Sequence, residues 1–193
     1  IFVSKFSHCL QDLLYRASVG SLDIDINCVV SNHADLKKIA DRYEIPFHHI
    51  EVQENIKENS EKKIEEILSK NNIELIILAR YMQILSSQFC KKYYGNIINI
   101  HHSFLPSFKG AKPYHQAYSK GVKTLGATAH YVSSELDEGP IIEQSVDRIN
   151  HSTTPKEMEI IGRDIESITL AKAVKYHTEQ RIFLNDNKTV IFN

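Results

Sequence analysis

Apolar residues in the first half of the chain follow two alternating spacings, each typical of one kind of element. Short apolar runs predict strands at 1–4, 26–30, 47–52 and 75–79. Between these runs, apolar residues three and four apart predict helices at 10–17, 36–43 and 54–68. The run at 75–79 lacks polar alternation, as in a parallel strand covered on both faces. This β-α-β-α order predicts a doubly wound, mostly parallel α/β sheet of the Rossmann type.

The order of predicted elements changes in the second half of the chain. Residues 96–101 predict a strand that turns polar at its far end, and a long loop with Pro106, Gly110 and Pro113 follows it. Two longer runs predict strands at 124–132 and 140–149, joined through residues 133–139 as a hairpin. The chain therefore departs from strict strand-helix alternation after its fifth strand.

The last quarter of the chain contains residues that mark the start of a helix and the turn of a hairpin. Thr154, Pro155 and Glu157 have the arrangement of a capping box with Pro at the first helical position, so a long helix is expected from there. Runs at 181–184 and 189–192 flank a polar turn and predict a terminal hairpin. For the earlier helix at 36–43, Ser31 or Asn32 is the expected N-cap.

Composition narrows the class of protein. The chain has 193 residues and a formal net charge of −1, which at about 150 residues per domain predicts one domain over residues 1–193. This charge gives no reason to expect a nucleic-acid or membrane-surface partner, and no apolar run approaches the ~20 residues that span a bilayer. Three Cys without a C-x-x-C pair fit a reducing compartment, so we expect a cytoplasmic protein.

The polar end of the predicted strand 96–101 is the first candidate for chemistry. Asn99 and His101 are two residues apart and share a face of the strand, whereas His102 points elsewhere. Ligands bind at the carboxyl ends of parallel strands, where an amide and an imidazole could hold an oxyanion and carry a proton. The alternative is that Asn99 and His101 only satisfy backbone groups at a strand end.

Two further residues are candidates only in combination with that strand end. Asp137 lies in a Leu-Asp-Glu-Gly-Pro turn, where ordinary turn chemistry is the simpler explanation unless the loop folds over Asn99 and His101. His130 follows three small residues in a predicted strand, and alone it is more typical of a structural histidine.

Metal and nucleotide sites find little support. The ten His include two adjacent pairs, His48-His49 and His101-His102, but neighbours on a strand point to opposite faces and no H-x-x-x-H helix is present. We therefore expect no metal. Cys9 near a helix start could be activated by the helix dipole, although buried packing is the more ordinary role. No glycine-rich phosphate loop occurs, which removes the usual nucleotide cradle.

Three separated motifs, in this order, resemble the folate-dependent formyltransferase family. They are NIHHSFLPSF at 99–108, GATAHYV at 126–132 and LDEGPII at 136–142. The resemblance runs through nearly the whole chain and implies the formyltransferase fold. It also implies a catalytic asparagine, histidine and aspartate, which fall on Asn99, His101 and Asp137. His130 matches a family histidine near the reacting centre.

The resemblance also implies a folate pocket and no cofactor. The family's pterin-binding segments match six residues here: Gln83, Ile84, Leu85, Ser133, Ser134 and Glu135. A homo-oligomer with a small folate as its substrate is expected. Because the chain starts inside an apolar run without Met, we also expect that an upstream regulatory domain of the ACT kind is missing.

Within the family, the segment after the first strand favours hydrolysis. Residues 4–10 read SKFSHCL and offer no glycine where transferases have a Gly-Ser-Asn phosphate loop. The chain therefore resembles the branch that hydrolyses 10-formyltetrahydrofolate to formate and tetrahydrofolate, supplying one-carbon and purine metabolism. Two alternatives stay open: transfer of the formyl group to a small amine, and a folate-binding module without turnover.

Overall fold

The first half of the chain alternates strands and helices. The computed structural model describes residues 1–52, 57–105 and 113–192. The elements of this half are β1 (Phe2–Val3), α1 (His8–Ser18), β2 (Val29–Ser31), α2 (Lys37–Arg42), β3 (Phe47–His49), α3 (Lys57–Lys70), β4 (Ile76–Leu78) and α4 (Ser87–Lys92). The strands and the first three helices lie where the apolar spacing predicts them.

The second half adds an antiparallel edge and the longest described helix. Its elements are β5 (Ile97–His101), α5 (Pro113–Lys120), β6 (Thr124–Tyr131), β7 (Ile141–Arg148), α6 (Pro155–Thr178), β8 (Ile182–Asn185) and β9 (Lys188–Ile191). The capping box at Thr154 is present: its hydroxyl accepts from the Glu157 backbone N–H, and the Glu157 carboxylate accepts from the Thr154 N–H. Such a cap stabilises a helix by about 1 kcal/mol.

Seven strands form one sheet in the order β3-β2-β1-β4-β5-β6-β7. The pairs from β3 to β5 are parallel, and β6 and β7 are antiparallel additions at one edge. The strand order reverses between β1 and β4, which is the switch point of a doubly wound sheet. The predicted fold class is therefore confirmed. Strands β8 and β9 form the predicted terminal hairpin.

Both faces of the sheet are covered, which explains the lack of alternation in the parallel strands. Val3 and Ile98 pack with α1 and α6 on one face, and Phe2 and Ile97 pack with Ile64 of α3 on the other. In β5 only the first face stays apolar towards the strand end, because Asn99 and His101 replace apolar residues on the second.

Some local predictions are wrong. The helix α2 has Leu36 at its N-cap position without a side-chain cap, because Ser31 is the last residue of β2. Helices α4 and α5 were not predicted; α4 is only six residues long, and Ser86 caps it by accepting from the Phe89 N–H at 3.1 Å. Pro106 and Gly110 of the predicted loop lie outside the described residues. Among the described helices, none has the length and apolar character needed to cross a bilayer.

Candidate active site

The site begins at the carboxyl end of β5, where this strand pairs with β6. In the β5–β6 register Asn99 lies opposite His130 and His101 lies opposite Thr128. Opposite residues of an antiparallel pair face the same side of the sheet, so the strand pairing alone brings Asn99, His101 and His130 together. The Asn99 Nδ2 and His130 Nε2 atoms are 3.1 Å apart.

The His130 ring is fixed by its own strand. Its Nδ1 lies 2.9 Å from the Tyr131 carbonyl oxygen, which can only accept, so Nδ1 carries the hydrogen. In the neutral ring Nε2 is then an acceptor for the Asn99 amide. The carboxamide of Asn99 is thereby oriented by a histidine whose exposed fraction is 2%.

The turn after β6 carries Asp137 back over the strand ends. The Asp137 Oδ2 atom lies 3.2 Å from His101 Nδ1, and Oδ1 lies 3.7 Å from His130 Nε2. Asp137 has a φ of 58°, a left-handed conformation that Asp tolerates better than most residues. The fold therefore unites Asn99, His101, His130 and Asp137, which the sequence could link only through the family resemblance.

The electrostatics of this cluster keep Asp137 ionised. The hydrogen bond from His101, and then the nearby His130 imidazole, hold the pKa of the Asp137 carboxyl well below its usual range, although partial burial opposes them. His101 Nε2 is buried and has no hydrogen-bond partner among the described residues. One ring nitrogen of His101 is thus committed to a carboxylate and the other is available to a bound molecule.

A cavity of about 300 Å³ adjoins these groups. All six residues expected to contact a pterin line it: Gln83, Ile84, Leu85, Ser133, Ser134 and Glu135. Asn99, His101, His130 and Asp137 line its inner end. Small-molecule sites typically combine an apolar cavity of this size with a few convergent polar groups.

Three larger cavities occur among the described residues, so size alone does not select the site. One of about 460 Å³ lies at the other end of the strands, beside Ile1 and His177, and one of about 580 Å³ lies on the surface between α3 and Lys92. Neither holds a hydrogen-bonded carboxylate–imidazole pair of the kind formed by Asp137 and His101. The third, of about 720 Å³, shares a wall with the candidate site. We select the smaller cavity because the hydrogen-bonded polar groups converge there.

Comparison with known proteins identifies the family. The sequence model of the formyl transferase family matches residues 1–174. Formyltetrahydrofolate deformylase from Corynebacterium sp. (strain P-1) is 52% identical over 191 residues, covering 99% of this chain and 67% of the relative. The chain belongs to the formyl transferase family, among the formyltetrahydrofolate deformylases.

Solved structures agree with this membership. The crystal structure of formyltetrahydrofolate deformylase from Burkholderia mallei ATCC 23344 has a TM-score of 0.97 at 50% identity, covering 100% of this chain and 68% of that chain. Phosphoribosylglycinamide formyltransferase from Anaplasma phagocytophilum has a TM-score of 0.89 at 32% identity, with 100% and 92% covered. The chain spans about two thirds of the length of the deformylases that it matches.

Sequence reasoning missed a buried ionic cluster beside the site. Glu166 of α6, whose side chain is 3% exposed, lies 2.7 Å from His8 Nε2 and 3.6 Å from Arg80 Nε. Burial opposes its ionisation, but the hydrogen bond from His8 and the charge of Arg80 lower the pKa of the Glu166 carboxyl. Its position within the apolar face of α6, four residues after Gly162, was the signal that could have identified it.

Among the described residues, one group of donor atoms is close enough to hold a metal. Donor atoms of His8, Cys9 and Glu166 lie within 4.8 Å of one another. The Arg80 guanidinium near the same carboxylate disfavours a cation there. Burial also raises the pKa of the Cys9 thiol, so Cys9 packs as a protonated core residue rather than as an activated nucleophile.

The turn that carries Asp137 depends on Gly139. A Cβ at this position would overlap the carbonyl oxygen of Tyr131, which is backbone and cannot move aside cheaply. We expect Gly139→Ala to lower the free energy of unfolding by about 1–3 kcal/mol and to slow turnover by displacing Asp137. Urea unfolding and activity assays check this. Gly121→Ala is a control for backbone strain without overlap, since Gly121 has a φ of 61° and nothing lies within 4 Å of a Cβ there; it should lose only the roughly 1 kcal/mol that this conformation costs an alanine, with unchanged turnover. Equal behaviour of Gly139→Ala and wild type would contradict the prediction for Gly139.

The pKa of His102 predicts a pH-dependent stability. Burial, and then the charges of Arg80 and His101, lower this pKa from 6.5 to about 4. The unfolded chain therefore binds the proton more readily, so stability is complete above pH 6.5 and falls as the pH drops towards 4. We expect the wild type to lose about 2 kcal/mol more than His102→Gln across this range. Urea unfolding at several pH values measures this difference, and a constant separation of the two curves would refute it.

Proposed function

We propose that this chain hydrolyses 10-formyltetrahydrofolate to formate and tetrahydrofolate. The observation that carries the proposal is the Asp137–His101 contact of 3.2 Å at the inner end of a cavity lined by the expected pterin contacts. Its relatives named formyltetrahydrofolate deformylase support the same reaction.

Asp137 is the base in this proposal. Water attacks the carbon of the N10-formyl group, and the ionised carboxylate takes a proton from this water, directly or through a second water. Because the pKa of Asp137 is far below neutral, the carboxylate is available at any physiological pH. Its partner His101 lies within hydrogen-bond distance and fixes where the proton is accepted.

Asn99 and His101 stabilise the oxyanion that develops on the formyl oxygen. The Asn99 amide is oriented by His130 and supplies one donor. In the proposed mechanism His101 acts as a double donor: Nδ1 donates to Asp137, and Nε2, which has no other partner among the described residues, donates to the oxyanion. Two donors fixed before the substrate binds cost little reorganisation during reaction.

Collapse of the tetrahedral intermediate completes the cycle. The bond between the formyl carbon and N10 breaks, its electron pair returns to N10, and N10 takes a proton as tetrahydrofolate leaves. Asp137 passes to N10 the proton that it removed from water, and the second hydrogen of that water stays on the formic acid that forms and is lost to solvent as a proton. Formate is released, and Asp137 and His101 return to their starting protonation states.

A formate assay without any acceptor tests the proposal. Incubation with 10-formyltetrahydrofolate is expected to release formate and tetrahydrofolate in equal amounts. Silence until a primary amine is added would instead show a transferase, which the larger cavity beside the site could serve. Tight folate binding with no formate at any pH would show a binding module. Either of these two results would overturn the proposed hydrolysis.

A further inference from the structure

Two cavities of this chain meet at a common wall. The proposed folate cavity and the larger one, of about 720 Å³, share Arg80, Met82 and His102. The His102 ring stacks on His101 with 4.9 Å between ring centroids. The wall therefore lies next to His101. A molecule held in the larger cavity would have to pass this wall to reach the formyl carbon.

The backbone of Arg80 has an unfavourable conformation for a residue with a side chain. Arg80 follows β4 with a φ of 63°, a left-handed conformation in which a long side chain is unfavourable. Glycine would adopt it without strain. The surrounding contacts must therefore hold the guanidinium in place against this cost.

Glu166 supplies the main contact. One carboxylate oxygen, Oε2, accepts from His8 Nε2 at 2.7 Å and lies 3.6 Å from Arg80 Nε. The other, Oε1, accepts from the Tyr114 hydroxyl at 3.1 Å. On its other side the Arg80 guanidinium lies over the Phe6 ring, 5.0 Å from the centroid, a cation–π geometry.

A glycine in helix α6 leaves room for the contact between Tyr114 and Glu166. A Cβ at Gly162 would overlap the Tyr114 hydroxyl, so the absence of a side chain there lets Tyr114 lie against the helix. Gly162 is one turn before Glu166, on the same face of α6. Five side chains form a connected cluster that lines the larger cavity: Phe6, His8, Arg80, Tyr114 and Glu166.

We infer that Arg80, anchored by Glu166, is a specificity-determining residue that separates the larger cavity from the formyl carbon and leaves water as the acceptor. This inference rests on the proposed hydrolysis. Arg80 excludes an amine in two ways. Its side chain forms part of the wall between the two cavities, and its positive charge repels an alkylammonium ion, the form in which most primary amines exist at neutral pH.

The reaction that this wall would prevent is formyl transfer to an amine. The lone pair of a neutral primary amine would attack the formyl carbon, forming a new C–N bond. The bond to N10 would then break, and the proton lost by the amine nitrogen would be balanced by the one gained by N10. The products would be tetrahydrofolate and an N-formyl amine in place of formate.

The test is the partition of the formyl group in Arg80→Gly. Glycine suits a φ of 63°, so this variant removes the whole side chain without backbone conflict. Enzyme, 10-formyltetrahydrofolate and excess glycinamide are incubated, and formate and N-formylglycinamide are both measured. We expect the ratio of formylated amine to formate to rise about tenfold or more over wild type. Because the readout is a ratio, it does not depend on the absolute rate.

Two further variants sharpen the test. Arg163→Ala removes another guanidinium of the larger cavity, 5.8 Å from the same Phe6 ring but outside the folate cavity. It lowers the positive charge without opening the wall, so it should raise the ratio much less than Arg80→Gly does. Glu166→Gln keeps the anchor's shape but removes its charge, and should raise the ratio in part.

A wild-type ratio in both Arg80→Gly and Glu166→Gln, or a rise in Arg163→Ala equal to that in Arg80→Gly, would overturn the inference. The proposed hydrolysis is judged separately, because it fails only if the wild type releases no formate without an amine. The two failures are therefore distinguishable in the same set of reactions.

Discussion

Asp137→Asn is expected to lower kcat for formate release about 10²–10⁴-fold, the range of a positioned general base. Asparagine keeps the size of the side chain but cannot accept a proton from water at neutral pH. It also removes the negative charge that lies 3.2 Å from His101 Nδ1, so the imidazolium loses its counter-ion. The measurement is steady-state formate production, with folate binding followed separately by equilibrium titration.

Glu138→Gln is the matched control for this variant. Glu138 is the next residue of the same turn, is exposed, and loses the same charge in the substitution. We expect it to keep the wild-type kcat and thermal stability. Turnover of Asp137→Asn within a fewfold of wild type would remove Asp137 from the proposed mechanism, whereas unimpaired folate binding with lost turnover would support its role as base.

His101→Ala is expected to lower kcat about 10²–10³-fold, the usual cost of losing one oxyanion donor. The substitution removes the Nε2 atom that has no other partner, together with the ring that faces Asp137. The fold should survive, because the apolar contacts of β5 come from Ile97, Ile98 and Ile100 and not from His101. Formate production and thermal unfolding together check both statements.

His151→Ala, in an exposed turn far along the chain, serves as the control histidine. A double variant of Asp137 and His101 adds a stricter criterion. Groups that act as one unit are strongly non-additive, so the double variant should lose little more than the worse single variant. Losses that multiply would show that Asp137 and His101 act independently, and would contradict the coupled action of base and oxyanion donor proposed for them.

Most of the fold follows from apolar spacing in the sequence. Strands β1, β2 and β4 and most of β5 are buried on both faces, so their runs are short and continuous. The capping box at Thr154 marks the start of α6 directly. Helix α4 was missed because its two apolar residues, Phe89 and Cys90, are adjacent and show no helical spacing. Helix α5 was missed because its first residue, Pro113, was assigned to the preceding loop. The N-cap at α2 was misplaced because Ser31 is held in a strand.

Some residues of the candidate site could be predicted from the sequence alone and others could not. The two-residue period of β5 places Asn99 and His101 on one face from the sequence alone. The position of Asp137 depends on how the turn after β6 folds back, which no local pattern encodes, so only the family resemblance indicated it. The contact between Arg80 and Glu166 joins residues 86 positions apart in the numbering, from 80 to 166, and neither belongs to a recognised motif.

The pairing between β5 and β6 has a genetic consequence. Their alignment sets Asn99 opposite His130 and His101 opposite Thr128. Deleting one codon between the two paired positions of either strand would move one of these residues to the opposite side of the pleat. We therefore expect in-frame deletions inside these two short spans to abolish catalysis even where the encoded polypeptide still accumulates.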